Sequence, residues 1–146
     1  MNGRVISVNL SEGKGTVKHP IPKGLLIAGS GLEGDAHAGP WHRQVSLLAQ
    51  ESIDQMKEYG LEHLEPGIFA ENITTQGIVL NTLPIGKRLQ IGECVLRVTQ
   101  IGKECVRSCE IFQKVGRCIM PTEGIFAEVL TGGEIAPGMP VQCMEV

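Results

Sequence analysis

Nineteen glycines and eight prolines, mostly scattered singly between short apolar runs, constrain this 146-residue chain more than any other feature. Each one turns the backbone or ends a helix, so short strands are favoured over long helices. With 42% hydrophobic and 20% charged residues, the chain can bury a core, and its length suits one domain spanning residues 1–146. A net charge of -3 and 3% aromatic residues leave no basic face with interleaved rings, so nucleic acid is not expected as a partner. Uncharged runs such as residues 24–32 and the longest, 72–86, which contains 77–86, fall short of the roughly 18 residues a membrane helix needs, so no membrane partner is expected. The N-terminal stretch MNGRVISVNLSEGKG lacks an apolar h-region and a cleavage signature, which sets a cytoplasmic expectation. There cysteines stay thiols, and an odd count of five argues against a full disulfide framework.

Period-two patterning marks RVISVNL, QVSLLA, IFAENITT, KRLQIGE and CVLRVTQI as strands, and GLLIAG as a buried one. KRLQIGE and CVLRVTQI are close enough to form a hairpin across Gly92-Glu93. IFAEVL and MPVQCMEV add two strands after position 124, with a Gly132-Gly133 turn and Pro137-Gly138 between them. AQESIDQMKEYG is the better helix candidate, with Ile53 and Met56 on one face and Gly60 as its stop. The passage GSGLEGDAHAGPWHR has the composition of an irregular surface loop, and loops of that length usually carry function. The expected fold is mainly β, a closed or nearly closed β-barrel with one or two short helices, because closure removes edges that so many strands would expose.

IGKECVRSCEIFQKVGRC, residues 101–118, holds three of the five cysteines. If residues 105–115 are helical, Cys105, Cys109 and Phe112 share a stripe, with the two thiols too far apart to bridge. Both could then be small buried hydrophobes. The spacing C-x3-C-x8-C lacks paired knuckles, and a zinc site would need His37 or His42 from far upstream. Four basic residues, Lys103, Arg107, Lys114 and Arg117, against Glu104 and Glu110 leave the segment at +2. A nearby cation favours the thiolate, the form that attacks and that ligates soft metals. Spacing alone leaves these readings open.

The blocks GLEGDAHAGPWHRQVSLLAQESI, GIFAENITTQGIVL, the Gly102 to Cys105 turn and GRCIMPTEGIFAEVLTGGEIAPGMPV resemble, in order and over nearly the whole chain, the small stand-alone members of the MOSC family. That family is named after the C-terminal domain of molybdenum cofactor sulfurase. The resemblance implies a strand-rich, MOSC-like barrel that binds the molybdenum cofactor (molybdopterin) or transfers sulfur to it through a reactive cysteine. It thus implies sulfurtransferase-type or cofactor-carrier activity in cofactor maturation or delivery. The cysteine position matches Cys105, which implies a catalytic thiol and metal ligand there; Cys118, next to Arg117, could be a second thiol that resolves or relays sulfur, or another buried side chain. Small relatives carry a histidine after this cysteine, whereas this chain has Val106, which removes a neighbouring base.

The cofactor's terminal phosphate calls for fixed positive donors. Arg43 can fork onto phosphate oxygens, and His37, His42, Lys103 and Arg107 can add donors. Glycines 29, 31, 34 and 39 would let backbone amides crowd an anion, and Asn72 and Thr74 could bond the pterin edge. Each has a plainer use: Arg43 could pair with Asp35, His37 and His42 could cap turns, and Asn72 could close one. Cys94 and Cys143 read as core. No pyridoxal phosphate site is expected in 146 residues already committed to a barrel, so a sulfur donor, a cofactor-synthesis protein or a molybdoenzyme is the expected partner. The alternatives are a non-catalytic docking module for such a protein and a small zinc or redox thiol protein.

Overall fold

The structure is a computed structural model that describes residues 2–14, 16–59, 64–102 and 123–144. Its strands, in chain order, are β1 (Asn2–Leu10), β2 (His19–Ile21), β3 (Gly24–Ile27), β4 (Gly31–Leu32), β5 (Val45–Ala49), β6 (Ile73–Gln76), β7 (Arg88–Ile91), β8 (Cys94–Ile101), β9 (Ile125–Thr131), β10 (Gly133–Ile135) and β11 (Pro140–Cys143). Seven of them close on themselves in the order β11-β7-β8-β9-β5-β6-β1, with β1 returning to β11. The described residues form a closed barrel with one short α-helix, within the expectation of a closed or nearly closed barrel with one or two short helices. All neighbours in the barrel are antiparallel except β5 and β6, which run parallel and are joined through α1 (Gln50–Gln55) and a 3-10 turn, Met56–Tyr59. Among the described residues, no helix is long and apolar enough to cross a membrane.

Alternation explains which side chains fill the barrel. Cys94, Leu96 and Val98 of β8 point inward with Leu89 and Ile91 of β7, while Arg88 and Gln90 face out. The β7-β8 hairpin turns over two residues, with Ile91 opposite Cys94 and Gly92 at φ +58, a conformation that suits glycine at the first turn position. Strand β5 is buried on both faces: Val45, Leu47 and Ala49 pack inside the barrel, and Leu48 packs outside it against Ile53, Met56 and Phe69. As expected, Ile53 and Met56 share the buried face of the helical segment; Gly60 lies outside the described residues.

Three expectations change. GLLIAG is only half buried, because Leu25 and Ile27 of β3 face outward on a small antiparallel sheet, β10-β3-β4, laid over the barrel. Gly132-Gly133 does not reverse the chain: Gly133 starts β10, which pairs with β3. IFAENITT is a strand only from Ile73; residues 66–69 form a turn, and Ala70 sits in the left-handed region at φ 66.

The β8-β9 ladder shifts register between Val98 and Gln100, leaving Thr99 without a partner on β9. This bulge lies at one rim, where Gly102 N-H donates to Gly124 O (2.7 Å). The chain therefore leaves and re-enters the described structure at one point on the barrel.

Candidate functional site

The long loop 28–43 folds over the outer face of β5 because its polar groups are satisfied locally. Asp35 is the centre: its Oδ1 accepts from the Ser11 N-H (3.1 Å) and the Lys18 ammonium (2.8 Å), and its Oδ2 accepts from the His37 N-H (3.0 Å). The Lys18 and Asp35 side chains are fully buried. Burial pushes the Asp35 carboxyl up, but the hydrogen bonds it accepts and the Lys18 charge outweigh it and hold the group well below the usual carboxylate range. Lys18 Nζ also donates to Ser11 Oγ (3.0 Å) and lies 3.1 Å from His37 Nδ1.

Beside this network is a pocket of about 200 Å³ with three kinds of wall. Lys14, His37 and Arg43 supply N-H donors; Trp41, Phe69 and Phe126 supply aromatic faces; Ser46, Ala70 and Asn72 form the rest. The His37 and Trp41 rings lie parallel, 6.4 Å between centroids, and the Lys14 ammonium sits 5.1 Å from the centre of the Trp41 ring. Arg43 stacks over Phe126 at 5.2 Å and donates from Nε to Gln100 Oε1 (3.1 Å). Gln100 in turn donates from Nε2 to Gly102 O (2.8 Å), so the guanidinium is linked to the last described residue before position 103. The two Arg43 Nη atoms make no hydrogen bond to any described residue, which leaves the forked end for a ligand.

The pocket's third kind of wall is held from behind. Asn72 Oδ1 accepts from the Ser46 N-H (3.0 Å) and hydroxyl (3.2 Å), and its Nδ2 donates to Asn9 O (3.3 Å). Ala70 takes its left-handed conformation next to Gly67, where a Cβ would overlap Lys18 O. A left-handed alanine costs about 1–2 kcal/mol, and such strain persists where the surroundings over-determine the backbone. Here the Ala70 carbonyl accepts from the Ser46 hydroxyl (3.2 Å) and its N-H donates to Gly67 O (2.9 Å).

Of the residues singled out in the sequence, His37, Arg43 and Asn72 meet in this pocket. His42 stands outside its lining, exposed, edge-on to Trp41 and accepting at its carbonyl from the Thr99 hydroxyl. Thr74 is fully buried, its hydroxyl donating to Glu71 Oε2 (2.7 Å) and accepting from Asn9 Nδ2 (3.0 Å). Cys105, Cys118, Lys103 and Arg107, with Cys109, lie outside the described residues. Two readings need correction. Arg43 does not pair with Asp35, which is engaged by Lys18. The glycines of the loop do not line the pocket; the Gly29 and Gly39 N-H groups close the loop onto Val129 O and Ser30 O. Cys94 is buried in the barrel core, where burial pushes its thiol up, and Cys143 is partly buried against that core. Sequence reasoning missed Lys14, Lys18 and the aromatic walls. Trp41, the chain's single tryptophan and set in a loop, was the signal available.

A sequence profile of the MOSC domain matches residues 34–142, from the centre of this loop to the last barrel strand. The chain belongs to the MOSC domain family. MOSC domains are associated with molybdenum-cofactor biology. This MOSC domain is 25% identical over 162 residues to the uncharacterized protein YflK of Bacillus subtilis, covering 96% of this chain and 72% of that one. Its fold is similar to the crystal structure of the YUAD protein of Bacillus subtilis, with TM-score 0.81 and 18% identity over 97% of this chain and 94% of that chain. It is also similar to YiiM of Geobacillus stearothermophilus, with TM-score 0.75 and 21% identity over 98% and 75% of the two chains.

Proposed function

We propose that this MOSC domain binds the molybdenum cofactor in the pocket between loop 28–43 and strands β5 and β9. The observation that carries the reading is the Arg43 guanidinium: stacked on Phe126 and fixed through Nε, it keeps its Nη fork without a partner among the described residues, beside two further N-H donors and three aromatic faces. A flat, anionic pterin phosphate fits that donor set, since aromatic faces accept the ring and Arg, Lys and His take phosphate oxygens. Bound there, the cofactor supplies the molybdenum centre on which sulfur or oxygen chemistry takes place.

Cys105 is the thiol we assign as metal ligand and sulfur carrier. The chain from Gly102 to position 105 spans at most about 11 Å when fully extended, and Gly102 is tied to Arg43 through Gln100. Sulfur comes from a separate donor protein, and the loaded domain serves a cofactor-synthesis protein or a molybdoenzyme.

The test mixes the purified protein with cofactor released from a molybdoenzyme, removes unbound material by gel filtration, and measures molybdenum and phosphorus by mass spectrometry. Retention by the wild type, lost in Arg43→Ala for both elements and in Cys105→Ser for molybdenum, supports the reading. Equal retention by all three proteins would sink it.

A further inference from the structure

The Lys18-Asp35 pair is a buried charge cluster that the reading above does not use, and it touches the pocket residue His37 at its backbone N-H and at its ring Nδ1. We propose that Lys18 fixes His37 as a neutral ring with its single proton on Nε2, so that His37 is a permanent hydrogen-bond donor and the pocket selects ligand groups that accept. The inference rests on the pocket being the ligand site and names what that site takes: oxyanions and carbonyl oxygens with no proton to give.

The proton assignment follows from the contacts. An ammonium has donors only, and Lys18 Nζ has Ser11 Oγ at 3.0 Å, Asp35 Oδ1 at 2.8 Å and His37 Nδ1 at 3.1 Å. The Ser11 hydroxyl gives its own proton to Gly13 O (3.0 Å), so toward Lys18 it can only accept. Lysine ordinarily holds its proton about four pH units more firmly than imidazole, and the carboxylate beside it reinforces that preference. The shared proton between Nζ and Nδ1 therefore belongs to lysine.

Asp35 does not reverse this. Its Oδ2 lies 3.6 Å from Nδ1, beyond hydrogen-bond range, and already accepts the His37 backbone N-H. With Nδ1 an acceptor, the ring proton sits on Nε2, which makes no hydrogen bond to any described residue while the side chain is 23% exposed. Among the described residues, the other charged or titratable groups nearby are Lys14, over the Trp41 ring that stacks on His37, and His42 beyond that ring; neither makes a hydrogen bond to the His37 ring. His37 thus joins Lys14 and Arg43 as an N-H donor in a pocket whose lining, among the described residues, contains no carboxylate.

Two measurements test this in the full chain. Nitrogen-15 NMR of the histidine rings at neutral pH is expected to show His37 with a pyrrole-type Nε2 and a pyridine-type Nδ1; a proton on Nδ1, or on both nitrogens, overturns the inference whether or not cofactor binds. Calorimetric titration with inorganic sulfate is expected to show binding weakened about tenfold or more in His37→Leu, the scale of one hydrogen bond to a charged group. His37→Gln, whose amide can donate from a similar position, is expected to keep most of it, and His37→Glu to lose it. Equal affinity in His37→Leu, loss in His37→Gln to the level of His37→Leu, or no sulfate binding by the wild type overturns the donor role. Cofactor retention is measured on unlabelled protein without sulfate, so either claim can fail while the other stands.

Discussion

Two buried regions of this molecule, one inside the barrel and one on its outer flank, are built on opposite rules. The interior is aliphatic: Val5, Leu47, Ile73, Leu89, Leu96, Val129 and their neighbours fill it, and the ionisable groups among these described residues are the Cys94 thiol and that of Cys143 packed against the core. The flank mixes a small apolar cluster of Leu48, Ile53, Phe69 and Phe126 with the buried Lys18-Asp35 pair, Glu71, Asn72 and Ser46. A buried polar group is tolerated only when paired, and each pair is sensitive to loss of one member. The barrel supplies stability, and the flank places donors beside a pocket at some expense to it.

The sharpest way to break this comparison is Lys18→Met. It leaves the Asp35 carboxylate buried without its cation, and unfolding free energy is expected to fall by about 3–5 kcal/mol by urea denaturation, with Asp35→Leu in the same chain recovering part of the loss. The wild type has a matching pH signature. Asp35's folded pKa lies below its unfolded value, so its stabilisation is present above the ordinary carboxylate range and is lost as pH falls beneath it.

Leu47 and Leu48, adjacent on β5 and both fully buried, separate the regions directly. Either change to alanine is expected to cost about 2–5 kcal/mol. Only Leu48→Ala should also weaken retention of anions, because it removes support from Phe69 in the pocket wall. Equal ligand loss from Leu47→Ala would show that the two regions are not independent.

The interior was legible in the sequence and the flank was not, for a physical reason. Barrel strands such as RLQI bury alternate residues, so period two is written in their composition. Loop 28–43 was legible as a functional loop, with His37 and Arg43 in it, from its glycines and polar residues. What pairs with what was not, because Lys18 and Asp35 are 17 positions apart with no periodicity to connect them. Lys18, flanked by Val17 and His19, reads as an ordinary exposed lysine, yet folding buries it completely. The alternative Arg43-Asp35 pair failed on the same ground: short sequence separation favours contact, but three dimensions offered Asp35 a closer cation.

Arg43→Ala sharpens the comparison from the ligand side. The side chain contributes one cation-π contact and one hydrogen bond, so stability is expected to change by about 1 kcal/mol or less. Sulfate affinity by calorimetry should nonetheless fall at least about tenfold, since a fork of two charge-assisted donors is lost. A large stability loss with unchanged affinity would place Arg43 with the structural residues.

The smallest expected effect is at Glu71, a fully buried carboxyl whose Oε2 accepts from the Gly67 N-H (3.1 Å) and the Thr74 hydroxyl (2.7 Å), while Oε1 has no partner among the described residues. Burial pushes its pKa up, against the bonds that favour the anion. Below the unfolded pKa both states are protonated and the group is neutral to stability. As pH rises past that value the unfolded chain releases the proton first, so folding becomes less favourable until the folded group ionises as well. Glu71→Gln removes that slope and can keep both bonds through one oxygen. Thermal melts of variant and wild type are therefore expected to agree near pH 4 and to diverge in the variant's favour by pH 8, by a few tenths to about 1 kcal/mol. A variant less stable at pH 8 than at pH 4 relative to the wild type would mean that the ionised carboxylate is what the turn beside Ala70 needs, making Glu71 a partner of the pocket wall and not a strain upon it.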